Sequence, residues 1–212
     1  MPKIKVKRDD ILRKPEIDAM LKRAESVYNG QRLQCVIALA WLFGKRINEI
    51  CRLKRKDIWW DNQFLYVRFH VSKKRERKEQ PVPKPFLKRI RLDHPYVHYI
   101  LDYVKKFEKG YIFPGYGGGY VKQVKDKKYG KTYEYVVEGG HITPERLRQQ
   151  LKQVNPKAWW HLFRESLATY MAENGATEEE LMHWFDWDRF ETAHKYVKRG
   201  VKLTEKWSER SF

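Results

Sequence analysis

The first part of the chain has the hydrophobic period of α-helices. Residues 15–28 carry one apolar stripe behind a proline and acidic residues, and Asn29 followed by glycine marks the end of this first helix. Residues 31–43 are apolar on almost every side, which predicts a buried helix at the centre of the fold. Gly44 breaks or kinks that run, and a third helix is predicted over 46–55.

The pattern then changes to that of β-strands. Three strands are predicted over 57–60, 64–71 and 79–85, with turns at Asp61 and Asn62 and across the charged run 73–78. Connections of this length join neighbouring antiparallel strands, so we expect one small antiparallel sheet.

Helical periodicity returns near residue 95 and dominates the rest of the chain. A β-hairpin interrupts it, because Val and Tyr alternate around 126–131 between glycine-rich ends. Thr143 and Thr177 are the N-cap residues of two later helices. The predicted helices span 95–109, 144–154, 158–175, 177–185 and 189–198. The expected fold class is therefore α+β, mainly helical, with a small antiparallel three-stranded sheet and an extra β-hairpin.

Composition indicates a folded protein that binds a polyanion. Of the 212 residues 42% are hydrophobic and 15% aromatic, enough for a sizeable core. The formal net charge of +18 attracts nucleic acid first and an anionic membrane second. No apolar run reaches the roughly 18 residues that span a bilayer, and the basic N-terminus lacks the apolar region of a signal peptide. A cytoplasmic protein that binds DNA or RNA, without a membrane, is the favoured class.

Two details of composition carry smaller inferences. Cys35 and Cys51 stand among apolar neighbours, so we expect buried thiols rather than metal ligands. Lys, Arg and Glu are abundant while Asn and Gln are few, a bias that is typical of thermophiles.

The common motifs for cofactor chemistry are absent from the sequence. It contains no phosphate-binding P-loop and no dinucleotide fingerprint, and the glycines of "GYGGGY" are not followed by Lys-Ser or Lys-Thr. No carboxylates cluster at the spacing that two-metal phosphodiester chemistry needs. No cofactor and no metal is therefore predicted.

The candidates for chemistry are charged residues on predicted helices. His161 and Arg164 are three positions apart and share one helical face, and Arg46 and Glu49 have the same spacing near the start of the third helix. The basic turn "SKKRERK" lies between these two pairs. Each feature alone is an ordinary pattern of surface charge, because exposure is the default for these residues.

Taken together and in this order, the features resemble the tyrosine recombinase (phage-type integrase) family. The family's arginine motif matches "FGKRINEI", its hairpin lysine falls within "VSKKRERKEQPVP", and its His-x-x-Arg segment matches "HLFRESLATYMAENG". Its last block matches "FDWDRFETAHKY", with Trp187 in a position that is usually histidine and Tyr196 nine positions later. Trp187 follows Arg164 by 23 positions, which is also typical of the family. The resemblance covers roughly residues 10–198.

The resemblance implies that Tyr196 attacks a DNA phosphodiester and holds the strand as a 3′-phosphotyrosine, without metal or ATP. Arg46 and Arg164 would bind the non-bridging phosphate oxygens, for which a planar and permanently charged guanidinium is suited. His161 would donate a further hydrogen bond or handle the proton of the nucleophile. Trp187 would donate its indole N–H.

A lysine of the basic turn would protonate the leaving 5′-oxygen. Counting forward from the second strand selects Lys73, whereas counting back from the prolines allows Lys74, and both remain candidates. Glu49 is expected to orient Arg46 or its neighbours rather than to accept protons.

Further basic residues are predicted to contact the DNA backbone. They lie in the N-terminal arm, beside the first arginine and in the basic turn: Lys3, Lys5, Lys7, Arg8, Lys45, Arg75, Arg77 and Lys78. The segment 115–141 resembles an insertion, and it fits a further DNA contact and a solvent-exposed hairpin equally well.

Three regions follow from the resemblance: a basic N-terminal arm over 1–14, a tyrosine recombinase catalytic domain over 15–198 and a tail over 199–212. Family members usually carry another N-terminal domain that clamps DNA, so the chain is either a short member or a fragment. The tail contains apolar residues that could dock on a neighbouring subunit: Val201, Leu203, Trp207 and Phe212.

The predicted function is a site-specific DNA recombinase or integrase that acts on double-stranded DNA as a homo-oligomer, either a dimer or a tetramer. The expected location is the cytoplasm of a prokaryotic cell, with a virus or mobile element as a candidate source of the gene. Two alternatives remain open. A type IB topoisomerase would relax supercoiled plasmid without site preference, and a non-catalytic regulator on the same scaffold would bind DNA without cutting it.

Overall fold

The computed structural model of the protein describes residues 11–70, 86–115, 120–125, 132–137 and 140–200. The helices in these ranges are α1 (Lys14–Ala24), α2 (Gly30–Phe43), α3 (Ile47–Cys51), α4 (Val97–Val104), α5 (Pro144–Val154), α6 (Trp160–Glu173), α7 (Glu178–Phe185) and α8 (Phe190–Gly200). The strands are β1 (Ile58–Trp60), β2 (Phe64–Phe69), β3 (Phe86–Arg91), β4 (Tyr120–Lys125) and β5 (Thr132–Val137). Over the described part of the chain, every helix is too short or too polar to cross a membrane.

Helix α2 forms the centre of the main core, as its apolar composition predicts. Every residue from Arg32 to Phe43 is buried, and the helix packs against α1, α4 and α6. Cys35 and Cys51 lie in this core as free, buried thiols, which confirms their predicted burial. Burial raises the pKa of both thiols, that of Cys51 to about 12, so neither is a reactive thiolate at neutral pH.

Several helix ends form where the sequence places capping residues. Thr143 Oγ1 accepts from the N–H of Arg146 at the start of α5, and Thr177 forms a capping box with Glu180 at the start of α7. Gly44 ends α2 rather than kinking it, because its φ of 56° turns the chain while its N–H still bonds to the carbonyl of Ala40.

The first three strands form one antiparallel sheet in the order β1-β2-β3, as predicted. The carboxylate of Asp61 closes the first turn by accepting from the N–H groups of Gln63 and Phe64, each at 2.7 Å. β4 and β5 pair separately as an antiparallel two-stranded sheet, the extra hairpin of the prediction. The predicted fold class, a mainly helical α+β fold with this small sheet and an extra hairpin, is confirmed.

Several boundaries differ from the sequence pattern. α1 ends at Ala24 rather than at 28, and Asn29, predicted to mark the end of this first helix, is instead the N-cap of α2. The third strand spans 86–91, while the predicted strand over 79–85 lies outside the described residues. The third helix ends at Cys51, because the backbone at Leu53 accepts a bond from the N–H of Ile112 instead of continuing the helix. α4 is likewise shorter than the 95–109 predicted.

The last three helices build a second apolar cluster beside the main core. α6 belongs to both: Phe163 packs in the main core, and Leu167 and Ala172 pack in the second cluster against α7 and α8. Trp187 and Tyr196 are partly buried against this second cluster. The junction of the two clusters therefore positions the residues that the sequence singles out.

Candidate active site

Arg46 occupies the N-cap position of α3, and the carboxylate of Glu49 contacts both its backbone and its side chain. One carboxylate oxygen of Glu49 accepts from the backbone N–H of Arg46 at 3.0 Å, and the other lies 3.3 Å from Arg46 Nη1. The Glu49 side chain is 4% exposed, whereas that of Arg46 is 37% exposed. The buried carboxylate thus holds an arginine whose guanidinium remains accessible.

Arg164 projects from α6 between the C-terminal ends of α2 and α7. Its Nη1 donates to the carbonyl of Gly44 at 2.7 Å, and its Nη2 donates to the carbonyl of Phe185. Carbonyls at helix C-termini lack intrahelical partners and carry partial negative charge, so a buried cation suits this place. Arg164, which is only 2% exposed, joins two helix ends.

An aromatic stack brings Tyr196 to the same place. The ring of Trp187 lies 4.7 Å from that of Phe185 and 5.2 Å from that of Tyr196, with interplanar angles of 20° and 11°. The Cζ atom of Arg164 lies 5.4 Å from the centre of the Trp187 ring, within the range of a cation–π contact. Trp187 therefore contacts Phe185, Tyr196 and the guanidinium of Arg164.

The charged groups that shift the pKa of Arg164 are those that lie near it in the site. Burial and then the positive charge of Arg46 lower the pKa of Arg164 to about 10, while Glu49, Asp186 and Tyr196 act in the opposite direction. Even at that value the guanidinium is charged at neutral pH. The structure brings together the predicted residues Arg46, Glu49, Arg164 and Tyr196, and the aromatic stack adds Trp187.

His161 lies one turn before Arg164 on α6, as the spacing predicts. Its side chain is 59% exposed, and its Nε2 is 3.3 Å from a carboxylate oxygen of Glu165. Among the residues that the structure describes, no three His, Cys, Asp or Glu side chains are grouped as metal ligands.

The remaining predicted residues, apart from Lys45, lie outside the described ranges. They are Lys3, Lys5, Lys7, Arg8, Lys73, Lys74, Arg75, Arg77 and Lys78. The strand residues that flank 71–85 are paired, Phe69 with Phe86, and Lys45 Nζ lies 5.4 Å from the ring centre of the first and 5.3 Å from that of the second.

Lys45 does not match its predicted role as a DNA contact. Its side chain is 2% exposed and its ammonium forms an ion pair with Asp186. Burial lowers the pKa of Lys45, and the carboxylate of Asp186 opposes that shift. The ammonium is directed into the protein because it neutralises this carboxylate, so the assignment of Lys45 to DNA is corrected.

Sequence reasoning missed Asp186 and Lys88 altogether. Lys88 Nζ lies 3.3 Å from a carboxylate oxygen of Asp186 and donates to the carbonyl of His183 at 2.6 Å. For Asp186 the available signal was a charge in apolar surroundings, in "WFDW", as it was for its partner Lys45 in "WLFGKRI".

Comparison of the sequence with known proteins agrees with this geometry. Residues 10–201 match the model of the Phage integrase family. Tyrosine recombinase XerC of Chlamydia caviae is 24% identical over 186 residues, which cover 88% of this chain and 53% of the relative. The chain thus spans about half the length of that curated relative.

Solved structures share the fold at low sequence identity. XerA recombinase is 14% identical with a TM-score of 0.61, covering 100% of this chain and 67% of that one. XerH bound to its difH substrate in a pre-cleavage complex is 15% identical with a TM-score of 0.60, covering 94% and 53%. The Tn1549 transposon integrase in complex with circular intermediate DNA is 13% identical with a TM-score of 0.59, covering 96% and 67%.

Proposed function

Because the chain belongs to the phage integrase family, we propose that it is a site-specific recombinase that cleaves and rejoins double-stranded DNA. The observation that carries the proposal is the convergence of Arg46, Arg164, Trp187 and Tyr196 from separate segments on one site. The net charge of +18 supports a polyanionic substrate.

In the proposed reaction the phenolic oxygen of Tyr196 attacks the phosphorus of a DNA phosphodiester. A bond forms between phosphorus and the tyrosine oxygen, and the bond from phosphorus to the 5′-oxygen breaks. The phenolic proton passes to a base, for which His161 is the candidate, and Lys73 or Lys74 gives a proton to the leaving oxygen. A 5′-hydroxyl reverses these steps, and one ester replaces another throughout, so rejoining needs no ATP.

The two arginines would stabilise the charge that develops on the non-bridging oxygens. A guanidinium has five N–H donors, and Arg164 gives two of them to the carbonyls of Gly44 and Phe185. The others can be directed to a phosphate. Because two carbonyls hold Arg164, its guanidinium would be a rigid donor, whereas Arg46 would be a more accessible one. A rigid donor loses little entropy when the transition state forms.

Trp187 would contribute in two ways, through the face of its ring and through its indole N–H. Its stacking against Tyr196 limits the rotation of the phenol, and its indole N–H is proposed to donate to the phosphate. The basic arm over 1–14 and the turn 73–78 would add contacts to the DNA backbone.

We further propose that the protein acts as a homo-oligomer, a dimer or tetramer on DNA, in the cytoplasm of a prokaryotic cell. The bacterial origin of the XerC relative supports that location. The family's description supports a phage or another mobile element as the source of the gene.

The test is covalent capture on DNA that the protein itself selects. Duplexes that the protein binds are selected from a randomised pool and resynthesised with a nick in one strand near the site. Cleavage then releases a short oligonucleotide that carries the 5′-hydroxyl. Once this oligonucleotide has diffused away, the strand cannot be rejoined and the covalent adduct accumulates. Denaturing gels should show a protein–DNA adduct for the wild type and for Tyr170→Phe, whose hydroxyl lies on the exposed side of α6, and none for Tyr196→Phe.

Two outcomes would contradict this function. Tight binding without any adduct would favour a non-catalytic regulator on the recombinase scaffold. Relaxation of supercoiled plasmid without site preference would favour a topoisomerase.

A further inference from the structure

Segments 44–46 and 185–187 face each other in the proposed active site, and three different contacts join them. Arg164 donates to the carbonyls of Gly44 and Phe185. The Phe185 ring also packs so close to Gly44 that a Cβ there would lie 2.3 Å from Phe185 Cε1. The third contact is the ion pair between Lys45 and Asp186, the residues that follow those two carbonyls.

The Lys45–Asp186 pair belongs to a buried cluster of three charges. The side chains of Lys45, Lys88 and Asp186 are 2%, 6% and 12% exposed. One carboxylate therefore serves two ammonium groups, and neutralising it would remove the negative charge that is paired with both in a poorly solvated place. Lys88 also donates to the carbonyl of His183, so the cluster holds the C-terminal turn of α7.

The backbone at Asp186 indicates that its side chain matters. Asp186 is the C-cap of α7 with φ 55° and ψ 47°, a left-handed conformation in which glycine is the least strained residue. Aspartate tolerates this conformation better than most residues, but at some cost. A side chain in this position is explained by what its carboxylate does, which is to neutralise Lys45 and Lys88.

We propose that Lys45 and Asp186 are positioning residues of the active site, whose ion pair fixes the two carbonyls that orient Arg164 and the turn that carries Trp187. This inference rests on the proposed recombinase function. The pair acts through other residues: Gly44 and Lys45 lead into Arg46, and Asp186 leads into Trp187. Because Lys45 Nζ also contacts the rings of Phe69 and Phe86, the pair links the end of β2 and the start of β3 to the site.

The experiment compares Asp186→Asn, Lys45→Met and the double variant. Asparagine keeps the size of the side chain and its tolerance of the left-handed turn, and methionine suits the space between two phenyl rings. In the double variant Lys88 can still donate to the asparagine oxygen and to His183. The control is Glu173→Gln, which breaks an ion pair of Arg13 at the opposite end of α6.

Two quantities are measured on a nicked duplex selected by the wild-type protein: the Kd, and the rate constant of adduct formation at saturating protein. We expect each single variant to lower the rate constant by about 10- to 100-fold, as small misplacements of reacting groups do, with a Kd within about 3-fold of wild type. The double variant should regain at least about 10-fold over Asp186→Asn, and Glu173→Gln should cleave at the wild-type rate once bound.

A purely structural role would lower the unfolding midpoint of Asp186→Asn in urea and leave its cleavage rate constant at saturation unchanged, and that result would overturn the proposal. Equal slowing by Glu173→Gln would overturn it too. If Asp186→Asn does not fold, the rate constants of adduct formation of Lys45→Met and of the double variant are compared instead. A wild type that forms no adduct overturns the proposed function and this inference with it, whereas an active wild type beside fully active variants overturns the inference alone.

Discussion

At the scale of single residues, Arg164 and Arg46 differ in how the protein holds them. Arg164 is 2% exposed and donates to two helix-terminal carbonyls, whereas the side chain of Arg46 is 37% exposed and is held by Glu49. Both are proposed to bind the same phosphate. The difference means that one arginine is part of the fold and the other is mainly part of the site.

This difference leads to a prediction about stability. Arg164→Ala leaves two buried carbonyls without donors, so we expect the free energy of unfolding to fall by about 3–5 kcal/mol. Arg46→Ala should cost less, about 1–2 kcal/mol, because its guanidinium is accessible to solvent and the Glu49 carboxylate keeps its bond from the backbone N–H of residue 46. Both variants should fail to form the DNA adduct. Urea unfolding measures the two costs, with the exposed Arg52→Ala as control. Equal destabilisation by the two active-site variants would show that the carbonyl bonds contribute little.

At the scale of elements, two glycines with positive φ offer a matched comparison. Gly44 ends α2 with φ 56° against the Phe185 ring, whereas Gly175 follows α6 with φ 90° and has open space around it. A Cβ at either position strains the backbone, but only at Gly44 does it also meet a packed ring.

We therefore expect Gly175→Ala to cost about 1 kcal/mol of unfolding free energy, from the backbone alone. Gly44→Ala should cost roughly 2–4 kcal/mol, since overpacking adds to the same strain. It should also slow adduct formation, because Phe185 and its carbonyl must shift away from Arg164. Urea unfolding and single-turnover cleavage test both effects, and a Gly44→Ala protein as stable as Gly175→Ala would mean that the Phe185 ring moves aside at no cost.

The elements that the sequence predicted well are those with local causes. Thr143 and Thr177 start their helices through bonds to residues three positions away, and Asp61 closes a turn in the same local way. Errors arose where distant pairing decides: residues around Leu53 leave the helical conformation to bond with Ile112.

The candidate site follows the same rule. The order of its residues identified Arg46, Glu49, Arg164, Trp187 and Tyr196 as a set. The ion pair of Lys45 with Asp186 joins residues 141 positions apart and has no periodicity, so the apolar neighbours of each charge hint at its burial but do not show that the two are partners. A lysine beside a predicted catalytic arginine is usually solvated, so the sequence favours a DNA contact for Lys45 where the structure has a buried ion pair.

At the scale of the whole molecule, the proposed active site lies where two apolar clusters meet. α6 contributes to both, and α8 joins only the second cluster through Ala193 and Tyr196. The proposed nucleophile, Tyr196, therefore sits on the less extensively buried part of the fold, on the helix that leads directly into residues 201–212. Any contact that those residues make with a neighbouring subunit would bear on the position of Tyr196.

We accordingly propose that the tail over 199–212 docks on a neighbouring protomer, and its apolar residues support a packed contact. Replacing Leu203 and Trp207 together by serine should leave binding of one protomer to a single half-site unchanged. The second protomer should then bind a two-half-site duplex about 10-fold or more less tightly, a loss of roughly 1.4 kcal/mol of coupling. Mobility shifts on one-site and two-site duplexes measure both steps, with Glu205→Ser as the control for a polar change.

The duplexes with one and with two half-sites also distinguish a tail that docks on a neighbouring protomer from a tail that packs on its own subunit. If the tail packs on its own subunit, the double serine variant should slow adduct formation even on a single half-site, where no second protomer is bound. If it docks on a neighbour, the single-site rate stays at the wild-type value and only the two-site rate falls. Unchanged cooperativity together with unchanged rates would exclude both, and would leave α8 to position Tyr196 through its packing on α6 and α7.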